Sequence, residues 1–149
     1  NKLKNMLSLR ARYFIKSLVR TSKFRMCSIP SEVDFPESEY HEIADTFLDS
    51  LSEQLEALDQ SEIDDIIFSQ GVLRLDLADG KSTFIVNKQS PNKQVWLSSP
   101  FSGPYRFDYD KENNKWVGKD KECMLELLNK ELAEALGEDI ELIYENNYL

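Results

Sequence analysis

The sequence predicts an α+β protein: a two-layer α-β sandwich in which two terminal helices pack on one face of an antiparallel sheet of five to seven strands. Apolar residues recur at helical spacing in residues 38–58 and again in residues 121–136. Between these segments lie short stretches with the alternation of half-buried strands, joined by short turns. Each helix and each strand offers one apolar face, so both helices can cover the same side of the sheet while its other side faces water.

The first helix is predicted from an apolar face that repeats every three or four residues. Ser38 is the expected N-cap, because its hydroxyl can accept a hydrogen bond from a free N–H of the first turn. The apolar positions of this helix are Tyr40, Ile43, Ala44, Phe47, Leu48, Leu51, Leu55 and Leu58.

The strands are predicted from alternation and from turn residues. Asp79-Gly80 is typical of a tight hairpin turn, and consecutive strands with short connections favour an antiparallel meander. The predicted strands cover residues 63–68, 72–78, 82–88, 94–99, 105–109 and 115–118.

The second helix should end at Gly137, since glycine adopts the left-handed conformation that terminates many helices. The tail that follows is too apolar to remain in water, and we expect it to pack against the helices. Its apolar residues are Ile140, Leu142, Ile143 and Tyr144.

The composition suits one globular domain without a membrane span. The chain has 149 residues, 41% of them hydrophobic and 30% charged, and no apolar run approaches the roughly 18–20 residues that cross a bilayer. Cys27 and Cys123 form neither a CxxC pair nor a zinc-site spacing. His41 is the single histidine, which excludes a multi-histidine metal site.

The charge divides the chain into residues 1–31 and residues 32–149. Residues 1–31 contain eight Lys and Arg and no acid, leaving ten basic against 27 acidic residues in the remainder. A basic, amphipathic, acid-free segment is typical of a mitochondrial targeting presequence. The alternative is a basic arm for nucleic acid or a membrane surface, but the acidic body would repel both, so we expect no nucleic-acid partner.

Alternation along the strands predicts which polar side chains point away from the helices. They surround Trp96, and amides beside an exposed Trp and an Arg are typical of a binding hot spot. The alternative is that Trp96 fills a gap beneath a loop, whereas Trp116 is expected in the core. The outward set is Asn87, Gln89, Gln94, Trp96 and Arg106.

Three sequence blocks resemble the frataxin family. The longest is IVNKQSPNKQVWLSSPFSGPYRFDYD, residues 85–110, and the others are FLDSLSEQLEAL in the first helix and NNKWV ending at Val117. The similarity covers roughly residues 36–136. Departures are Tyr109, where relatives often carry a tryptophan, and a shorter acidic link at residues 59–65, which leaves the iron stoichiometry open.

The resemblance implies a location in the mitochondrial matrix and a role in iron–sulfur cluster assembly. Family members bind a complex of a cysteine desulfurase and a scaffold protein, speed persulfide transfer to the scaffold, and bind iron weakly. The positions that match the family's partner-binding face are Asn87, Gln89, Lys93, Gln94, Trp96 and Arg106.

Acidic side chains form a stripe on the first helix, opposite its apolar face. Carboxylates suit hard cations such as Fe²⁺ or Fe³⁺. Almost no Lys or Arg interrupts the stripe, so we expect its charges to repel one another without compensation by paired cations. The stripe could also be a plain solvated face or dock a basic partner. The candidate metal ligands are Glu39, Glu42, Asp45, Asp49, Glu53 and Glu56, followed by Glu62, Asp64 and Asp65.

Three function classes are compatible with the sequence. We favour a non-enzymatic, weakly iron-binding activator of the desulfurase–scaffold complex. The alternatives are an iron chaperone or storage protein and a weak ferroxidase that oxidises Fe²⁺ to Fe³⁺. A monomer is expected, with iron-driven oligomers as the alternative.

Deleting residues 1–31 should leave the folded domain intact, because this segment opposes the body in charge and has no buried partner in the predicted core. Thermal unfolding of the truncated chain should remain cooperative, with a Tm within about 3 °C of the full chain. Loss of the cooperative transition would show that the segment belongs to the fold.

Overall fold

The structure, a computed structural model, describes residues 36–58, 60–80 and 82–144. The predicted presequence at residues 1–31, its boundary with the domain, and Cys27 lie outside these residues. Within them, no helix combines the length and the apolar character needed to cross a membrane.

Two α-helices flank six strands in chain order. The elements are α1 (Glu37–Glu56), β1 (Ile63–Ser69), β2 (Val72–Leu77), β3 (Thr83–Gln89), β4 (Gln94–Ser99), β5 (Gly103–Asp110), β6 (Lys115–Gly118) and α2 (Met124–Leu136). Single 3-10 turns at Gln60–Glu62 and Ser90–Asn92 precede β1 and β4.

The strands form one antiparallel sheet in the order β1-β2-β3-β4-β5-β6, so the predicted meander is confirmed. The β2–β3 turn has the predicted chemistry. Gly80 adopts φ +68°, a left-handed conformation that a side chain disfavours, and its N–H donates to Leu77 at 3.2 Å. The Asp79 carboxylate accepts the N–H of Ser82 at 2.7 Å and closes the turn.

Helix α1 begins one residue earlier than predicted. Pro36 is the N-cap, no side chain caps the helix, and the Pro36 carbonyl accepts the first helical bond from Tyr40 at 3.1 Å. The expectation that Ser38 is the N-cap is therefore wrong. Glu37 and Glu39 occupy the first turn instead, where the positive end of the helix dipole favours negative charge.

Both helices bury their apolar faces against the same side of the sheet, and the predicted fold class is confirmed. Trp116, Tyr40 and Phe107 are each fully buried at the centre of this layer. The ring centroids of Tyr40 and Trp116 lie 6.3 Å apart at an interplanar angle of 87°, an edge-to-face contact that aromatic pairs prefer. Trp116 is thus a core residue, as predicted.

The apolar tail after α2 packs against both helices, as expected. The Asn129 side chain accepts the N–H of Leu142 at 2.7 Å and donates to the Leu142 carbonyl at 3.1 Å. The Gln54 side chain likewise accepts the N–H of Ile143 at 2.8 Å and donates to the Ile143 carbonyl at 2.9 Å. Two amide side chains, one from each helix, therefore satisfy the tail's backbone. This leaves Leu142 buried and Ile143 exposed.

Leu142→Ala should lower the free energy of unfolding by about 2–4 kcal/mol, because it opens a cavity beneath the tail. Ile143→Ala is the matched control, since the neighbouring side chain is 54% exposed and its truncation should cost less than about 1 kcal/mol. Urea unfolding of both variants measures the difference. Equal losses would show that the tail is not anchored through Leu142.

Candidate partner and metal sites

The outer face, by which we mean the side of the sheet turned away from the two helices, has an aromatic and cationic centre. Asn87 in β3 pairs with Trp96 in β4, and Trp96 pairs with Arg106 in β5. Directly paired residues of antiparallel strands point to the same side of a sheet. Their sequence neighbours Val95 and Phe107 are fully buried against the helices. The three side chains therefore lie together on the outer face.

A chain of contacts fixes the indole of Trp96. Its Nε1–H donates to Gln94 Oε1 at 2.9 Å, and Gln94 Nε2 donates to Asp108 Oδ1 at 2.9 Å. The guanidinium carbon of Arg106 lies 4.6 Å from the centroid of the Trp96 ring, which is a cation–π contact. The side chains that hold Trp96 belong to the outer face itself. This arrangement argues against the alternative that Trp96 fills a gap beneath a loop.

Arg106 keeps hydrogen-bonding capacity in this arrangement. No carboxylate of the described residues lies within ion-pair distance of its guanidinium. A guanidinium presents five N–H donors in a planar fork that fits carboxylates and carbonyls. Because Trp96 Nε1 is already hydrogen-bonded, the indole offers a partner its apolar ring, and Arg106 offers the donors.

An open depression of about 270 Å³ lies beside the Arg106–Trp96 stack. Ile85, Ser98 and Pro104 contribute to its wall. These three residues form the next cross-strand row, since Ile85 pairs with Ser98 and Ser98 pairs with Pro104. The centre of the outer face thus joins an apolar depression to one cation, which suits a protruding partner side chain.

The remaining candidate partner-binding positions lie where β3 turns into β4. Gln89 and Gln94 are the last cross-strand pair before the turn Ser90–Asn92. Lys93 follows in the left-handed region, at φ 52° and ψ 40°, and its N–H donates to the Ser90 carbonyl at 3.1 Å. This conformation is strained for a residue with a side chain. The turn therefore carries local strain at a candidate binding residue.

The acidic stripe runs along α1 opposite its buried residues, and lysines of β3 and of the β5–β6 turn compensate part of its charge. Lys111 Nζ lies 2.7 Å from Glu39 Oε1, and Lys88 Nζ bonds Asp45 Oδ1. The expectation that the stripe's charges lack paired cations is therefore wrong. Lys88 is 43 residues from Asp45 in sequence, so helical spacing alone could not reveal the pair. The stripe comprises Glu39, Glu42, Asp45, Asp49, Glu53 and Glu56.

The other three candidate metal ligands lie off the helix. Glu62 ends the 3-10 turn before β1, and Asp64 and Asp65 are exposed in that strand. Across residues 36–58, 60–80 and 82–144, no three His, Cys, Asp or Glu side chains come together closely enough to hold a metal ion. His41 instead lies 3.5 Å from Glu37. The donors have the chemistry of hard-cation ligands, but they are spread along a surface, so iron would associate through few carboxylates and retain water.

Several residues of these sites were not selected from the sequence. Asp108 anchors Gln94, and Ile85 and Pro104 wall the depression. Alternation does place Asp108 on the outer face, but only the register shows that it is the cross-strand partner of Gln94. Lys88 and Lys111 meet the acidic stripe through tertiary contacts that carry no sequence signal.

The chain is similar to proteins named frataxin. A family model described as a frataxin-like domain matches residues 33–138. The mitochondrial frataxin of Arabidopsis thaliana is 40% identical over 121 residues, which cover 76% of this chain and 64% of that protein, less than two thirds of its length. The mitochondrial frataxin of Caenorhabditis elegans is 36% identical over 127 residues, covering 83% and 93% of the two chains. These names confirm the predicted mitochondrial location.

Solved structures agree with the fold. A structure of yeast frataxin superposes with a TM-score of 0.58 at 37% identity, covering 79% of this chain and 98% of that chain. A second yeast structure, described as trimeric frataxin complexed with ferrous iron, gives a TM-score of 0.52 at 37% identity over 74% and 94% of the two chains.

Two substitutions at Lys93 test whether its left-handed backbone conformation destabilises the protein. Lys93→Gly should raise the free energy of unfolding by about 0.5–1 kcal/mol, because glycine adopts the left-handed conformation without a Cβ clash. Lys93→Ala keeps the clash and removes the ammonium, so it should not stabilise the protein. Urea unfolding distinguishes the two variants. A Lys93→Gly variant less stable than Lys93→Ala would mean that the turn is not strained.

Proposed function

The chain belongs to the frataxin-like family, and we propose that it is an iron-binding protein that binds and activates a cysteine desulfurase–scaffold complex in mitochondrial iron–sulfur cluster assembly. The observation that carries this proposal is the Arg106–Trp96 stack at the centre of the outer face. Arg and Trp are among the residues that contribute most to protein interfaces, and here they stand on a face that neither helix covers.

The outer face is organised before any partner arrives. Gln94 holds the Trp96 N–H and is itself held by Asp108, so the indole does not need to be ordered on binding. Fixing a large side chain in advance reduces the entropy lost on association. The depression walled by Ile85 and Pro104 adds apolar area next to the stack. These features favour docking of a folded partner surface over turnover of a small substrate.

Activation would follow from docking rather than from a reaction on this chain. The six candidate partner-binding residues supply amides, two cations and one indole, which are groups that position a partner. We therefore propose that the protein changes the geometry of the desulfurase–scaffold complex by binding to it. The residues are Asn87, Gln89, Lys93, Gln94, Trp96 and Arg106.

Iron would bind as cargo along the acidic stripe. Asp49 and Glu53 are exposed and lie one helical turn apart, so one cation can contact both. Iron chaperoning or storage, with weak ferroxidase activity, is the second candidate function. It is favoured by the related yeast structure described as a trimer complexed with ferrous iron. The weak affinity that we propose follows from the exposure of these carboxylates.

Trp96→Ala and Arg106→Ala should each weaken binding to the purified desulfurase–scaffold complex by tens-fold, because a hot-spot truncation costs at least about 2 kcal/mol of binding. Both side chains lie outside the core, so the Tm should stay within about 3 °C of wild type. Titration calorimetry and thermal unfolding of the same preparations measure the two effects.

Trp116→Ala is the control for these variants, since loss of a fully buried tryptophan should cost about 3–5 kcal/mol of stability. If Trp96→Ala unfolded the protein while the folded fraction bound its partner normally, Trp96 would be a structural residue and the proposal would be wrong.

Neutralising Glu42, Asp49 and Glu53 together, as Gln, Asn and Gln, should weaken Fe²⁺ binding in an anaerobic titration by at least about ten-fold. The matched control neutralises three exposed acids near the end of α2 in the same way: Glu134, Glu138 and Asp139. Both variants change the net charge equally, so equal losses of affinity would show that iron responds to overall charge and not to the acidic stripe.

A further inference from the structure

Tyr40 connects helix α1 to the cross-strand pair at which the β3–β4 turn begins and ends. The residue is fully buried, and its hydroxyl donates to the Gln94 carbonyl oxygen at 2.8 Å. The backbone of Gln89 lies close enough to this hydroxyl to lower its pKa. Gln89 and Gln94 are the cross-strand pair from which the turn departs. The Tyr40 hydroxyl is therefore bonded to one residue of the pair that closes the turn and lies near the other.

The hydroxyl of Tyr40 keeps its proton across the physiological pH range. Burial raises the pKa of Tyr40 to about 12, the nearby backbone of Gln89 acts in the opposite direction, and the nearby charge of Asp45 raises the pKa further. A neutral phenol can donate one hydrogen bond and accept another at the same time. Tyr40 can thus bridge the two strands at any pH at which the protein works.

A second link ties the end of β3 to the same helix. Lys88, between two candidate partner-binding residues, reaches Asp45 on α1. Its backbone N–H donates to the Gly71 carbonyl at 2.8 Å. A Cβ added at Gly71 would lie 3.2 Å from the Lys88 Cβ, so this contact is close. The β3 side of the turn is therefore held from α1 and from the β1–β2 turn.

The turn needs external support because it includes the strained Lys93. Strained backbone persists only where surrounding contacts determine it. The Gln94 backbone, which Tyr40 holds, carries the side chain that fixes Trp96 and bonds Asp108. A shift of Gln94 would therefore reach the centre of the outer face.

We propose that Tyr40 is a positioning residue for the partner-binding face: its hydroxyl closes the β3–β4 turn and sets the places of Lys93 and Gln94 without touching the partner. This inference rests on the proposed function of that face. It assigns a binding role to a core residue of the acidic helix, on the opposite side of the sheet from the surface that the partner would contact.

Tyr40→Phe tests the proposal, because it removes the hydroxyl and leaves the ring. The matched control is Tyr144→Phe, which removes another buried hydroxyl: one that accepts the N–H of Trp116 at 3.2 Å, in β6 and away from the turn. Both variants should lower the Tm to a similar extent. Amide hydrogen exchange of residues 89–94 and affinity for the purified desulfurase–scaffold complex are measured on each.

In Tyr40→Phe, the Gln89 and Lys93 amides should exchange about ten-fold faster, and affinity for the complex should fall about five-fold, as expected for loss of one buried hydrogen bond. Tyr144→Phe should change neither value. Unchanged exchange in Tyr40→Phe, or an equal loss of affinity in Tyr144→Phe, would overturn the proposal. If the wild-type protein does not bind the complex, the proposed function fails. Exchange at residues 89–94 then still decides whether Tyr40 positions the turn.

Discussion

The apolar side chains of α1 and α2 can leave water in only one place, the inner face of the meander. Trp116 and Phe107 of the sheet and Leu48 and Leu132 of the helices are all essentially fully buried there. Burial of apolar area at about 25 cal/mol per Å² makes this layer the main source of stability. Because both helices share one face, no helix among the described residues covers the other face, and the strands must alternate apolar and polar residues. The Arg106–Trp96 stack, in which Arg106 is exposed and Trp96 is half-buried, is a consequence of that one-sided arrangement.

Ion pairs and repulsion between carboxylates also affect the stability of helix α1. Lys111 and Lys88 neutralise part of the first half of the acidic stripe, at Glu39 and Asp45. In the second half, the last turn of α1 itself contains no basic residue. Negative charge at the C-terminal end of a helix is unfavourable, because the helix dipole is negative there. A cation that associated with this end would offset both the dipole and the mutual repulsion, which supports the proposal that iron binds along the stripe.

The strand layer was the easiest part to predict, because one-sided burial imposes alternation on the sequence. The bounds of β4 and β6 agree with the prediction, whereas β5 begins at Gly103, two residues before the predicted start. The predicted strand begins after Pro104, a residue that has no backbone N–H to donate to a neighbouring strand. In the structure β5 pairs with β6 at residues 107–110 and not at Pro104, so at Pro104 strand β5 is paired with β4 alone, a position where proline is tolerated.

Other features were beyond local sequence reasoning because they depend on distant residues. Ser38 has the chemistry of an N-cap, but α1 begins at Glu37, so the hydroxyl lies within the helix. The left-handed conformation of Lys93 is set by the turn and by contacts from α1, and lysine carries no signal for it. Alternation predicted which side chains lie on the outer face. The contacts within that face, from Asp108 through Gln94 to Trp96, could be identified only from the register of the strands.

The central claim is that the face left open by one-sided helix packing is the face that binds. Amide hydrogen exchange of the whole protein, measured by mass spectrometry with and without the purified desulfurase–scaffold complex, tests it most directly. Binding at the outer face should add protection in residues 87–106, with no change along α2. Protection confined to α2, with residues 87–106 unaffected, would contradict it.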